Sequence, residues 1–136
     1  MPTFFGEKNY EHGSSDKTGI LLTNLGTPDE PTVKGVKPYL LEFLSDPRVI
    51  EIPKFLWQII LRGVILQIRP RKSAKTYSTV WTQEGSPLLV IAKKQLDLVR
   101  KELKSYYSNS VVELAMRYGN PSIESALHKL QKQHVR

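Results

Sequence analysis

Thr18-Gly19-Ile20-Leu21-Leu22-Thr23-Asn24, running into Leu25-Gly26-Thr27-Pro28, is the stretch on which the fold turns. A short apolar run that ends in turn residues reads as a buried strand. Gly26 then permits a backbone geometry, or a close approach, that a side chain would block. A second apolar run of the same kind spans Val111 to Met116. Helical patterns lie between the two runs and after the second. Strand, helices, strand and helix in that order imply an α/β fold, a parallel sheet with helical crossovers. In an open sheet of this class ligands sit beyond the carboxyl ends of the strands, where the Gly26 turn falls. A plain turn is the competing explanation of that segment.

The helical patterns differ in character. Val33, Val36, Leu40, Phe43 and Leu44 recur at helical spacing, with Pro38 inside and Pro47 as the stop. Pro38 removes a hydrogen bond, so the helix either restarts there or bends. Pro53 to Pro70 is apolar nearly all round, with Phe55, Trp57, Ile60 and Leu61 among its bulky residues and Arg62-Gly63 in the middle. It is too short for a confident membrane span. A core helix and a helix lying at a membrane interface, ended by Arg69, Arg71 and Lys72, are the alternatives. From Pro87 to Tyr107 the apolar stripe Leu89, Ala92, Leu96, Val99, Leu103 and Tyr106 opposes a face of Lys93, Lys94, Asp97, Arg100, Lys101 and Lys104. Ser86 is placed to cap this helix, with Pro87 at its first position. Asn120-Pro121 opens a last helix with Ile123, Ala126, Leu127 and Leu130 inward.

The length of 136 residues suits one domain with its own core, and a 40% hydrophobic share with 24% charged is ordinary for a globular chain. The sequence divides into a flexible, Gly-, Ser- and charge-rich tail over residues 1–16 and a folded unit over residues 17–136. It contains no cysteine, which excludes disulfides and thiolate metal sites. No basic segment followed by an apolar one marks a secretory leader. The net charge of +7 favours an anionic partner. Nucleic acid is a poor fit, because no basic stretch is interleaved with stacking aromatics. His128 and His134 are six apart and face different ways on a helix, and His12 lies in the tail, so no histidine pair is set to share a metal. No Ser/His/Asp or Cys/His arrangement and no phosphate-binding glycine loop is present. Neither a catalytic nor a metal site is therefore assigned.

Four segments in fixed order carry a family resemblance: Leu22-Thr23-Asn24-Leu25-Gly26-Thr27-Pro28, Tyr39 to Ile50 (with Leu44-Ser45-Asp46-Pro47-Arg48), Gly85-Ser86-Pro87-Leu88, and Met116-Arg117-Tyr118-Gly119-Asn120-Pro121-Ser122-Ile123. Together they resemble the N-terminal portion of ferrochelatase, from about Lys17 onward. The resemblance implies the first lobe of a two-lobed fold with a porphyrin cleft between the lobes. It implies an enzyme that inserts Fe(II) into protoporphyrin IX to give protohaem. The histidine and glutamate that take the pyrrole protons lie later in the family's sequence, so this chain resembles an N-terminal fragment, inactive alone, whose partner is the missing C-terminal half. Its own share of the site would be Leu25, Arg69, Lys72, Tyr77, Ser86 and Arg117 on the porphyrin. Arg69 and Lys72 would pair with the propionates. Phe55, Trp57 and Ile60 would form an apolar lip against the membrane, giving a cytoplasmic protein peripheral to the inner face. No cofactor would be bound by the chain, Fe(II) and the porphyrin being substrates. Asp29 and Thr76 stand where the coproporphyrin-using branch has a tyrosine and an arginine, which favours protoporphyrin. A non-catalytic module that binds porphyrin or a membrane surface is the alternative.

Overall fold

The computed structural model describes residues 17–135, so the tail expected over residues 1–16 lies outside the described residues. Two parallel strands, β1 (Thr18–Thr27) and β2 (Ser110–Gly119), pair with Ile20 opposite Val112 and Leu22 opposite Leu114. Between them the chain forms α1 (Val33–Ser45), α2 (Lys54–Ile60), a π-turn (Leu61–Ile65), α3 (Leu66–Val80) and α4 (Pro87–Tyr106). After β2 comes α5 (Ile123–Lys132). The expected α/β class with a parallel sheet and helical crossovers is what the chain adopts.

Side chains alternate across a strand, so the pair has two faces. Ile20 and Leu22 of β1 join Val112, Leu114 and Met116 of β2 on the face that α4 covers with Ala92 and Leu96. Gly19 points the other way, where Leu130 of α5 and Val135 crowd the space a side chain would need. A second cluster packs Val36, Tyr39, Leu40 and Leu44 of α1 against Leu61, Leu66 and Ala74, and closes on Tyr118. That second core sits at the carboxyl end of β2.

Gly26 performs both of the roles open to it. Its φ is +109°, and a Cβ there would lie 1.8 Å from the Tyr118 carbonyl oxygen. Only glycine lets the two strand ends meet this closely.

Several expectations need correction. β1 is half-exposed rather than buried, since its outer edge has no neighbouring strand among the described residues, and Leu25 belongs to the strand itself. Pro38 does not restart α1, which runs from Val33 through Pro38 to Ser45 and is capped at Thr32, whose hydroxyl accepts the Gly35 N–H at 3.1 Å. Pro70 does not end the apolar helix, which runs on through α3 to Val80 with Pro70 buried. The core-helix alternative for that segment fails over most of its surface. Leu61 and Leu66 are buried, but Phe55 is 81% exposed and Ile68 is 68% exposed. On α4, Tyr106 is exposed at the end of the stripe. Arg100 leaves the solvated face and ties α4 to β2, its Nε donating to the Val112 carbonyl at 2.9 Å and its guanidinium pairing with Glu113 at 3.3 Å. On α5, Leu127 points outward while Ala126 and Leu130 point in. No helix of the described residues is long and apolar enough to cross a membrane.

Candidate functional site

The carboxyl ends of β1 and β2 set the geometry. Leu25, two residues from the end of β1, is half exposed. Thr27 closes the strand and is buried, and its hydroxyl donates to the Ser86 Oγ at 2.8 Å. Ser86 does stand at the N-terminus of α4, where its carbonyl accepts the Val90 N–H. Its side chain makes no cap, however, which corrects the capping expectation: the hydroxyl is turned to Thr27 instead. The pair pins the start of α4 to the end of β1.

The end of β2 is held by Asp46, the residue that terminates α1. Its carboxylate accepts the Arg48 backbone N–H at 2.9 Å, the Tyr118 hydroxyl at 3.1 Å and the Arg117 guanidinium. The Arg48 N–H, the Tyr118 hydroxyl and the Arg117 charge together hold the Asp46 carboxyl below the usual carboxylate range, against the opposing effect of burial. Burial and then the Asp46 carboxylate push the Tyr118 phenol above its ordinary value, so it stays a neutral donor. The Arg117 guanidinium lies over the Tyr118 ring, 4.9 Å from its centroid. Nearby, Glu42 accepts the Gly119 N–H at 2.8 Å, and Asp29 accepts from Asn120 at 3.0 Å.

The third part is a groove of about 710 Å3 along α3, lined by Arg69, Lys72, Ser73, Thr76, Tyr77 and Val80. Arg69, Lys72 and Thr76 fall on one face because residues three and four apart on a helix are neighbours. Tyr77 joins the groove to the core. Its ring meets Tyr39 edge-on at 6.3 Å and Trp81 edge-on at 6.4 Å. Tyr39 in turn stacks on Phe43, which meets Tyr118 edge-on at 5.1 Å. Burial, with the neighbouring Tyr77 hydroxyl, raises the Tyr39 phenol far above the ordinary range, and Tyr39 donates to the Gly26 carbonyl. A continuous aromatic chain therefore runs from the α3 groove to Arg117.

Three of the six residues expected on a ligand, Arg69, Lys72 and Tyr77, thus share one groove. Leu25, Ser86 and Arg117 lie at or beside the strand ends. Of the three lip residues, Phe55 is strongly exposed and Ile60 lies at the margin of exposure. Trp57 turns inward, its indole N–H donating to the Leu44 carbonyl at 2.6 Å. The outer apolar face is carried by Phe55, Leu56, Ile59, Val64 and Ile68 instead.

A family model described as ferrochelatase matches residues 17–136. The chain belongs to the ferrochelatase family. It is 56% identical over 134 residues to the ferrochelatase of Thioalkalivibrio sulfidiphilus, covering 98% of this chain and 36% of that protein. It is 54% identical over 137 residues to the ferrochelatase of Marinobacter nauticus, covering 100% and 37%. It is 52% identical over 136 residues to that of Chromobacterium violaceum, covering 99% and 37%. The chain therefore spans little more than a third of the length of these relatives, the first part of the ferrochelatase sequence.

Within this ferrochelatase segment, sequence reasoning missed Asp46, Thr27 and Tyr39 as parts of the site. Asp46 lies in the segment Leu44-Ser45-Asp46-Pro47-Arg48, and an aspartate at the end of an apolar helix before proline was the available signal. Its partner Arg117 is 71 residues away, so no local pattern could connect them. Among the described residues no three His, Cys, Asp or Glu side chains converge on a metal position, and His128 sits 3.9 Å from Glu124 on the outside of α5.

Proposed function

We propose that the protein carrying this chain inserts Fe(II) into protoporphyrin IX to form protohaem, and that this chain supplies one wall of the porphyrin cleft. The observation that carries the proposal is the convergence of Arg69, Lys72 and Tyr77 on a single groove of α3. A porphyrin is a flat apolar ring with carboxylates along one side. The groove has the complementary composition: two cations on one helical face, with Tyr77 and Val80 for the ring. Arg69 binds a propionate as a planar fork and Lys72 as a mobile point charge. Leu25, exposed at the end of β1, contacts the macrocycle, while Ser86 and Arg117 border it from the strand ends.

Metal insertion exchanges two pyrrole protons for Fe(II). The step needs a positioned base, and this chain's residues do not supply it. Their work is binding and orientation, which fixes the ring while a later part of the protein removes protons and delivers the metal. Asp29 and Thr76, standing where the coproporphyrin-using branch has a tyrosine and an arginine, favour protoporphyrin in this reading. The exposed apolar face of α2 and α3, next to Arg69, Arg71 and Lys72, suits a peripheral position on the cytoplasmic side of a membrane.

The test is steady-state kinetics on the full-length protein with Arg69→Ala and Lys72→Ala. Each should raise the porphyrin KM by about tenfold, the loss of one charge-assisted contact, with kcat little changed. Unaltered porphyrin kinetics in both variants would remove the propionate assignment.

A further inference from the structure

We propose that Asp46 is a positioning residue that acts through Arg117, holding the guanidinium at the carboxyl end of β2 so that its remaining N–H donors meet the porphyrin. The proposal rests on the porphyrin reading above. Asp46 is fixed by its own neighbourhood before it reaches β2. Its backbone N–H closes α1 on the Phe43 carbonyl, and one carboxylate oxygen accepts the Arg48 N–H. The other oxygen takes both the Arg117 guanidinium and the Tyr118 hydroxyl.

The pair is asymmetric. The Asp46 side chain is 6% exposed and that of Arg117 is 44% exposed. Burying a carboxylate is costly unless several donors surround it, and three do so here. An exposed ion pair would gain little from that arrangement. The gain is orientation: a guanidinium has five N–H donors in a rigid fork, and only Nη2 meets Asp46 while the side chain stays 44% exposed. The Tyr118 ring lies against the guanidinium and is itself packed edge-on by Phe43, a second contact that favours the same orientation of the arginine. The cavity of about 430 Å3 beside it is lined by Arg48, Asp46, Glu42, Arg117 and Tyr118. It lies at the strand ends, where a parallel sheet receives its ligand.

Protoporphyrin IX affinity, read by porphyrin fluorescence on the full-length protein, tests this. The variants are Asp46→Asn, Arg117→Gln and the double substitution, with Arg69→Ala reporting separately on the α3 groove. Each single change should weaken binding about tenfold. The double variant should bind no more weakly than Arg117→Gln alone, because a residue acting only through another adds nothing once that other is gone. Additive losses, or an Asp46→Asn protein that melts earlier yet binds normally, would overturn the proposal. Should Asp46→Asn not fold, Arg117→Lys replaces it. That variant keeps the charge but lacks the fork, and it should bind as weakly as Arg117→Gln; wild-type affinity would again overturn the proposal. Loss of binding in Arg69→Ala alone sinks this inference and leaves the porphyrin reading standing. A wild-type protein that does not bind porphyrin removes both.

Discussion

An alanine at position 26 would bring its methyl to 1.8 Å from the Tyr118 carbonyl oxygen, at a φ of +109°. The backbone strain alone is about 1–3 kcal/mol, and the clash forces the strand ends apart in addition. Gly26→Ala should therefore show a clear fall in urea midpoint in the full-length protein, and an unchanged midpoint would count against the close approach. Asp46 predicts a pH dependence of definite sign. Its folded carboxyl titrates below its ordinary value, so its contribution to stability is complete above the unfolded value, about 3.9, and is lost as pH falls through the lower folded value. Below about pH 4, Asp46→Asn should thus lose less stability than the wild type on further acidification, as thermal melts across that range would reveal. The need for a glycine at position 26 was legible because its meaning is local, although the residue lies in β1 rather than in a turn. Asp46 was legible only as part of a motif. Its role comes from a partner brought close by the crossover between two strands, and no spacing in the chain encodes that.

The segment from α2 through α3 was recognised by its apolar content, but which side faces outward was not readable. From Phe55 to Ile68 most positions are bulky and apolar, so periodicity carries no phase there. The phase is set by α1, which takes Leu61 and Leu66 inward, and by Trp57, whose indole finds the Leu44 carbonyl. The consequence separates two neighbours. Phe55→Ser and Ile59→Ser should weaken binding to anionic liposomes while leaving the fold intact, since both side chains are exposed. Trp57→Phe should leave liposome binding nearly unchanged and cost about 1 kcal/mol of stability through the lost hydrogen bond. A Trp57→Phe protein with wild-type stability but impaired vesicle binding would show that the tryptophan faces lipid after all. The π-turn over Leu61–Ile65 lies between α2 and α3. Such a turn widens one helical turn by a residue, so it changes the direction in which every later side chain points.

The two-stranded sheet leaves the outer edge of β1 without a neighbouring strand among the described residues, and the apolar face of α2 without cover. Both features invite association. The isolated 136-residue chain should sediment as a concentration-dependent mixture and should make no haem from Fe(II) and protoporphyrin above the rate without protein. A sharply melting monomer, or measurable turnover, would refute the respective statement. The α/β class was legible because two apolar runs with helices between them favour a parallel pairing, for which a helical crossover is the usual connection. The half-exposure of β1 was not, because burial depends on what lies beside a strand, and a run such as Ile20-Leu21-Leu22 looks the same in the middle of a sheet or at its margin. That pairing also imposes a timetable on synthesis. Ile20 finds its partner only in Val112, so β1 leaves the ribosome and waits while nearly the whole crossover is made. At about 5–20 residues per second, the first strand spends on the order of ten seconds exposed and unpaired before the sheet can close.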